Sequence, residues 1–227
     1  WYYGNKVYSE DTSFQWSVTG EIGTIDQEGT FTAAKAGKDV TGSIVVTYGE
    51  TQKSIPVTVG SSQPFADTKG HWAESYITSL YYDGTLQGST KNGKLYYRPD
   101  ASMTRQEFIV AMMRYLGTDL SSFSSVQLPF DDSAQIASWA KSAMQAAYYL
   151  GYLTGSKTNG KLLAKPGSTI SRQEAMTILS RTKDFADADV SVLSSFSDSA
   201  KIADWAKTAL AQMTQQKIIS GSKGKLN

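Results

Sequence analysis

The chain repeats itself at a fixed interval, and this limits its possible folds more than any single residue does. Setting Trp72 on Trp139 and reading forward without a gap pairs Ala73 with Ala140, Tyr81-Tyr82 with Tyr148-Tyr149 and Gly84 with Gly151. Gly88-Ser89 then meets Gly155-Ser156, Asn92-Gly-Lys-Leu95 meets Asn159-Gly-Lys-Leu162, and Pro99 meets Pro166. Further on, Thr104-Arg-Gln-Glu107 meets Ser171-Arg-Gln-Glu174, and Arg114 meets Arg181, all at one offset of 67. A third copy opens at Phe196, where Phe-Ser-Asp-Ser-Ala-Lys-Ile-Ala-Asp-Trp-Ala206 answers to Phe130-Asp-Asp-Ser-Ala-Gln-Ile-Ala-Ser-Trp-Ala140, and Gly221-Ser222-Lys223 answers to Gly155-Ser156-Lys157. Such duplication implies one structural unit used repeatedly, with neighbouring units sharing a core. The third copy breaks off at Asn227, so at most two complete copies of the Arg motif are present, and the repeat predicts a Pro and then a [Ser/Thr]-Arg-x-Glu run beyond it.

Each unit reads helix, loop, helix. In the first helix of the second copy Trp139, Ala143, Met144, Ala147, Tyr148 and Leu150 form an apolar stripe at three-to-four spacing, and Gly151 stops it as Gly84 stops its counterpart. A glycine-rich loop follows, and Pro99 or Pro166 blocks premature helix. The second helix is N-capped by Thr104 or Ser171, with Glu107 or Glu174 three residues on to complete a capping box. Phe108, Ile109, Met112 and Leu116 then face a core, as do Met176, Ile178 and Leu179. Asp67, Asp132 and Asp198 are expected to brace the first helix, because Asp131-Asp132-Ser133 lacks the ligand spacing of a calcium loop.

Residues 1–60 have a different texture. Ser13–Val18, Thr41–Tyr48 and Gln52–Val59 are rich in β-branched and aromatic residues with partial alternation, and Gly49-Glu50 predicts a tight hairpin. Gly20, Gly23, Gly29, Gly37 and Gly42 punctuate the rest. Short strands with frequent turns point to a β-sandwich, and about 60 residues is short of the ~100 usual for one. The run Phe14 to Ala33, with Trp16 followed by Gly29-Thr-Phe-Thr-Ala33, resembles bacterial Ig-like domains. Gly60-Ser-Ser-Gln-Pro64 is a linker by composition.

Composition closes several routes. With 40% hydrophobic and 19% charged residues the chain is ordinary for a folded protein, and it has no apolar run near the ~18 residues needed to cross a bilayer. A net charge of +1 is too near neutral for a nucleic-acid binder driven by phosphate neutralisation. The balance is uneven: residues 1–60 carry 4 basic against 7 acidic residues, and residues 61–227 carry 18 against 14. The basic part suits an anionic partner. Cysteine is absent, which excludes disulfides and thiolate chemistry. His71, the single histidine, lies in no triad spacing, and the chain has neither a phosphate-loop motif nor a metal-ligand cluster. No catalytic residue, metal ligand or cofactor is therefore expected. Opening on Trp1-Tyr2-Tyr3 without an initiator Met, the chain reads as a mature piece or fragment, with a cargo domain expected upstream.

Phe-x-Asp, Trp-Ala, Gly-x-Leu-x-Gly and [Thr/Ser]-Arg-x-Glu, recurring in that order from Pro64 to Asn227, closely resemble the S-layer homology domain. The resemblance implies a multi-domain chain: a partial all-β Ig-like sandwich over 1–60, then mainly α repeats over 61–128, 129–194 and a truncated 195–227, in a pseudo-threefold helical arrangement. It further implies an extracellular protein held without covalent bonds to an anionic, often pyruvylated, secondary polysaccharide of a bacterial cell wall. Gln106 and Gln173 stand where the family more often has Ala, a change expected to be tolerated.

The residues themselves offer chemistry for an acidic glycan. A helix N-terminus presents unpaired N–H groups and partial positive charge. Arg105 and Arg172 sit at the first helical position, where a guanidinium fork can grip a carboxylate through two parallel bonds. Gly88-Ser89 and Gly155-Ser156 bring open backbone and a hydroxyl, with Lys157 as added charge. Trp72, Trp139 and Trp205 offer ring faces, although their place on an apolar stripe points first to burial in the core. Two rival functions stay open: a self-assembling lattice module, and a wall-glycan hydrolase using paired carboxylates.

Overall fold

The computed structural model describes residues 14–34, 39–60 and 63–226, which divide into two compact units, 1–99 and 100–227. Trp1-Tyr2-Tyr3, Ser13, Gly37, residues 61–62 of the linker and Asn227 lie outside the described residues.

The first unit begins with strands β1 (Phe14–Thr19), β2 (Gly23–Ile25), β3 (Phe31–Ala33), β4 (Val40–Tyr48) and β5 (Thr51–Val59). The three long runs read from the sequence are β1, β4 and β5, joined as one antiparallel sheet in the order β1-β4-β5. Tyr48 pairs with Thr51 across Gly49-Glu50, which makes the expected two-residue hairpin. Pro56 is accommodated because β5 is an edge strand. β2 and β3 form a separate two-stranded ladder. The turn between them brings Gly29, at φ 82, against the ring of Trp16, where a Cβ would lie 3.0 Å from the indole. These five strands are all-β as expected, and the Ig-like assignment goes beyond what they define.

The first repeat contributes α1 (Glu74–Tyr82), β6 (Ser89–Lys91) and β7 (Lys94–Tyr96) to the same unit. The expected glycine-rich loop is thus a β-hairpin, and the second repeat has its equal in β8 (Ser156–Thr158) and β9 (Lys161–Leu163). Asn92-Gly93 and Asn159-Gly160 all have positive φ, which is the type I′ hairpin turn. In the third copy Lys223-Gly224 takes this turn and one bridge, Ser222 to Lys225, remains of the ladder. Lys223 therefore stands where Asn159 stands, and the sequence pairing of Lys223 with Lys157 is corrected by the shorter hairpin.

Two motif residues hold each hairpin. A Cβ on Gly88, Gly155 or Gly221 would lie 2.5, 2.7 or 2.8 Å from the ring of Phe65, Phe130 or Phe196 respectively, so the Phe of one motif seats on the Gly of another. The Asp two residues after each Phe grips the outgoing strand. Asp67 accepts from Tyr97 N at 2.9 Å and Arg98 N at 2.7 Å. Asp132 accepts from Ala164 N and Lys165 N, both at 2.8 Å, and Asp198 from Leu226 N at 2.8 Å. Arg98 and Lys165 have positive φ, so the paired carboxylate bonds hold a left-handed bend that these side chains otherwise disfavour. The Asp residues brace the hairpin exit rather than the first helix.

The second unit is built on α2 (Arg105–Tyr115), α3 (Lys141–Tyr149), α4 (Arg172–Ser180) and α5 (Asp204–Gln215). α2 packs on α3, and α4 on α5. Each Arg-motif helix thus shares its core with the first helix of the following repeat, which is why the boundary between the compact units falls inside the first repeat. Ile109, Val110, Met112 and Met113 meet Ala143, Met144, Ala146 and Ala147 in one core. Leu193, Ile202, Leu210 and Met213 anchor the other. Leu116 and Leu150, expected inside, are exposed, and Val110 and Met113 fill the space instead. The tryptophans are also corrected: Trp72, Trp139 and Trp205 are 83%, 57% and 59% exposed, while Ile77 and Thr78 fill the buried face of α1, Ala143, Met144 and Ala147 that of α3, and Ala206, Ala209 and Leu210 that of α5.

Asp132→Ala leaves a buried Ala164 N–H without its acceptor and should lower stability by about 2 kcal/mol or more. Asp132→Asn, which can keep one bond, should lose less. Chemical denaturation of the full chain checks both, and equal stability of all three proteins would contradict the brace.

Candidate functional site

Both Arg-motif helices are capped alike. Thr104 Oγ1 accepts from Glu107 N at 3.3 Å while Glu107 Oε2 accepts from Thr104 N at 2.7 Å. Ser171 and Glu174 repeat the exchange at 3.2 and 2.9 Å. These are the capping boxes read from the sequence.

Beyond the caps the two helix ends differ. At α2, Arg105 N donates to Ser168 O at 2.9 Å and Gln106 N donates to Pro166 O at 3.1 Å. With the box, this engages the first four N–H groups, so the partial charge of this end is met by carbonyls of the following repeat. The Arg105 side chain is taken up as well. It is 8% exposed, its Nε donates to Ala164 O at 2.9 Å, and its Nη1 pairs with Glu174 Oε1 at 2.7 Å. Glu174 serves two repeats at once, capping its own helix through Oε2 and holding Arg105 through Oε1. A second guanidinium lies in the same region: Arg181 donates from Nη1 to Tyr152 O at 2.9 Å. Burial, and secondarily the charge of Arg105, pulls its pKa below the usual arginine value. The expectation of an open cradle at Arg105 is corrected: the guanidinium is an internal brace between repeats.

At α4 no described residue takes the place of Ala164, Pro166, Ser168 and Glu174. Among the described residues Arg172 N and Gln173 N find no acceptor, and the exposed Arg172 side chain makes no ion pair. Arg172 lines a small, shallow cleft of about 40 Å³, together with Gln173, Asp198, Lys201, Ile202, Leu210 and Leu226. Lys201 is exposed and makes no ion pair among the described residues, whereas Asp198 has an oxygen committed to Leu226 N. The cleft thus combines a helix N-terminus, two cationic side chains, the carboxylate of Asp198 and the edges of Ile202, Leu210 and Leu226, a set whose balance of charge favours an anion.

The other sequence candidates are dispersed. Ser156 and exposed Lys157 lie on β8, and the Gly155 backbone is covered by Phe130, so a sugar finds no open glycine there. Gly88 is likewise covered by Phe65, and with exposed Ser89 and Trp72 it belongs to the first unit. Trp205 is exposed but is not part of the cleft lining. Lys201 escaped the sequence reading, although the alignment of Lys201 with Gln135 already marked it as a charge peculiar to the third copy. Among the described residues no group of three or more His, Asp or Glu side chains is placed to hold a metal ion, and no helix is long and apolar enough to cross a membrane.

The S-layer homology domain family matches residues 64–109 and 129–176. The chain is 26% identical over 94% of its length to an amylopullulanase of Thermoanaerobacterium thermosulfurigenes, of which it covers 10%. It is 29% identical over 70% of its length to an endoglucanase of Bacillus sp. (strain KSM-635), covering 16% of that protein. To the surface-layer 125 kDa protein of Lysinibacillus sphaericus it is 30% identical over 55% of its length, covering 10%.

Removing the buried half of an ion pair strands its partner, so Arg105→Ala should destabilise the chain by about 3 kcal/mol. Arg172→Ala should leave the unfolding midpoint where it is. Parallel denaturation curves check this, and equal losses at the two sites would contradict the inequality of the helix ends.

Proposed function

The chain carries S-layer homology repeats over residues 64–109 and 129–176, and on that premise we propose that it anchors an exported protein to a bacterial cell wall by binding an anionic wall polysaccharide. The observation that carries this reading is the α4 end: a capped helix whose next two N–H groups find no acceptor among the described residues, with Arg172 and Lys201 beside it. A charge-assisted bond from such a group contributes roughly 1.5–3 kcal/mol, and two cations around one carboxylate give a site that favours acidic sugar over neutral sugar. Pyruvyl groups, which pair a carboxylate with a methyl, suit the apolar edges of Ile202, Leu210 and Leu226. The exposed Trp72, Trp139 and Trp205, at matching positions of three repeats, supply rings for stacking on sugar. Ser89, Ser156 and Lys157 are assigned a supporting role along the polymer, while Gly88 and Gly155 seat the phenylalanine rings. Arg105 takes the part of a brace.

The relatives support an anchor over a catalyst. An amylopullulanase, an endoglucanase and a surface-layer protein share this region while the chain spans only 10–16% of their lengths. A segment common to enzymes of different specificity and to a surface-layer protein is better explained by shared attachment than by shared chemistry. The whole protein thus works outside the cell, with its cargo and any activity elsewhere in the polypeptide, and the threefold packing of repeats and the Ig-like spacer belong to the same proposal.

A second reading is favoured by the Arg105 contacts. If every motif arginine is a brace, Arg172 serves the packing of repeats as Arg105 does, and wall attachment relies on other residues. Pull-down on wall sacculi before and after chemical removal of the secondary polymer separates the two. Anchoring through the cleft predicts saturable retention that disappears with the polymer and falls at least tenfold in the Arg172→Ala, Lys201→Ala double variant. Unchanged retention of that variant favours the brace, and polymer turnover would favour a hydrolase.

A further inference from the structure

The glutamines of the Arg motifs do something their neighbours cannot. Gln173 Oε1 accepts from Ala203 N at 2.9 Å, and its Nε2 donates to Lys201 O at 3.1 Å. Gln106 makes the corresponding bond, with Oε1 accepting from Ala137 N at 3.0 Å. Ala203 is the N-cap of α5 and Ala137 the N-cap of the short turn that leads into α3, and neither has a side chain able to cap. In a capping box the N-cap N–H is taken by a carboxylate three residues on. Here that position is Ala206 or Ala140, which carries no acceptor. The glutamine of the preceding repeat supplies the missing half of the box.

At the α4 junction this has a further consequence. Gln173 follows Arg172 in the chain, and its amide is bonded on both sides of Ile202, to Lys201 O and Ala203 N. One carboxamide therefore ties the helix end bearing Arg172 to the turn bearing Lys201, across the cleft both line. We infer that Gln173 is a positioning residue that fixes Arg172 and Lys201 at one spacing, so that the two cations act on a single anionic group. This rests on the anchoring reading for its ligand, while the clip itself stands on geometry alone. Gln106 provides the internal control: it makes the acceptor half of this clip, to Ala137 N, at the junction where Arg105 is already committed to Glu174.

The test uses the full chain as Gln173→Ala, Gln173→Glu and Gln106→Ala, with two readouts. Amide hydrogen exchange followed by NMR reports the clips without ligand. Gln173→Ala should speed exchange at Ala203 by about tenfold, and Gln106→Ala should do so at Ala137, as loss of one hydrogen bond of ordinary strength implies. Gln173→Glu keeps the acceptor for Ala203 N but not the donor to Lys201 O, so protection at Ala203 should persist. Retention on sacculi bearing the secondary polymer reports positioning. Gln173→Ala should weaken it about fivefold or more, Gln173→Glu should weaken it further by placing an anion beside Arg172, and Gln106→Ala should leave it unchanged despite a similar loss of stability. Unchanged exchange at Ala203 in Gln173→Ala overturns the clip. Equal weakening by Gln106→Ala and Gln173→Ala overturns positioning in favour of general stability. If the wild-type chain is not retained at all, the anchoring reading and the positioning role fail together, while the exchange data still decide whether the clip exists.

Discussion

One carboxylate ties the repeats of the second unit together. Glu174 closes the N-terminus of its own helix and, with its other oxygen, holds the buried guanidinium of Arg105 from the repeat before. Neither group can be removed without stranding the other, and a stranded buried charge is far more damaging than a lost surface pair. The packing follows the same logic. Because α2 shares its core with α3, and α4 with α5, no single repeat as written in the sequence is a complete folding unit. The motif that looks like a ligand site when read along the chain is first of all a joint.

The joint also defines where chemistry remains available. At α2 the following repeat supplies Ala164, Pro166, Ser168 and Glu174, which between them saturate Arg105 and the helix end. At α4 these partners have no described equivalent, and the same capped helix faces a shallow cleft with Lys201 on its rim. What packs over the motif, and not its own residues, decides that Arg105 is committed.

Much of the fold was legible in the sequence. The constant offset, the capping boxes at Thr104 and Ser171 and the Gly49-Glu50 hairpin all depend on local chemistry that a short window contains. The hairpins β6-β7 and β8-β9 were legible too, because Asn92-Gly93 and Asn159-Gly160 are strong type I′ signals, but their appearance inside a helical repeat masked them. The tryptophans were misplaced for a tertiary reason: an apolar stripe states which side chains are suited to burial, and the alanines beside Trp139 let the helices approach too closely to admit an indole. The fate of Arg105 could not be read locally at all, since its partners lie 59 and 69 residues away. Gln173 was passed over as a tolerated substitution because its bonds likewise reach into the next repeat, to Lys201 and Ala203.

The most direct test of this division of labour watches the two guanidinium groups separately. With the arginine side-chain Nε–Hε signals assigned in a 15N-labelled full chain, purified secondary wall polymer is titrated in at low and then high salt. The Arg172 signal should shift with saturable, salt-sensitive dependence while the Arg105 signal stays where Ala164 and Glu174 hold it. A shift at Arg105, or movement at neither arginine while the polymer is bound, would contradict the account.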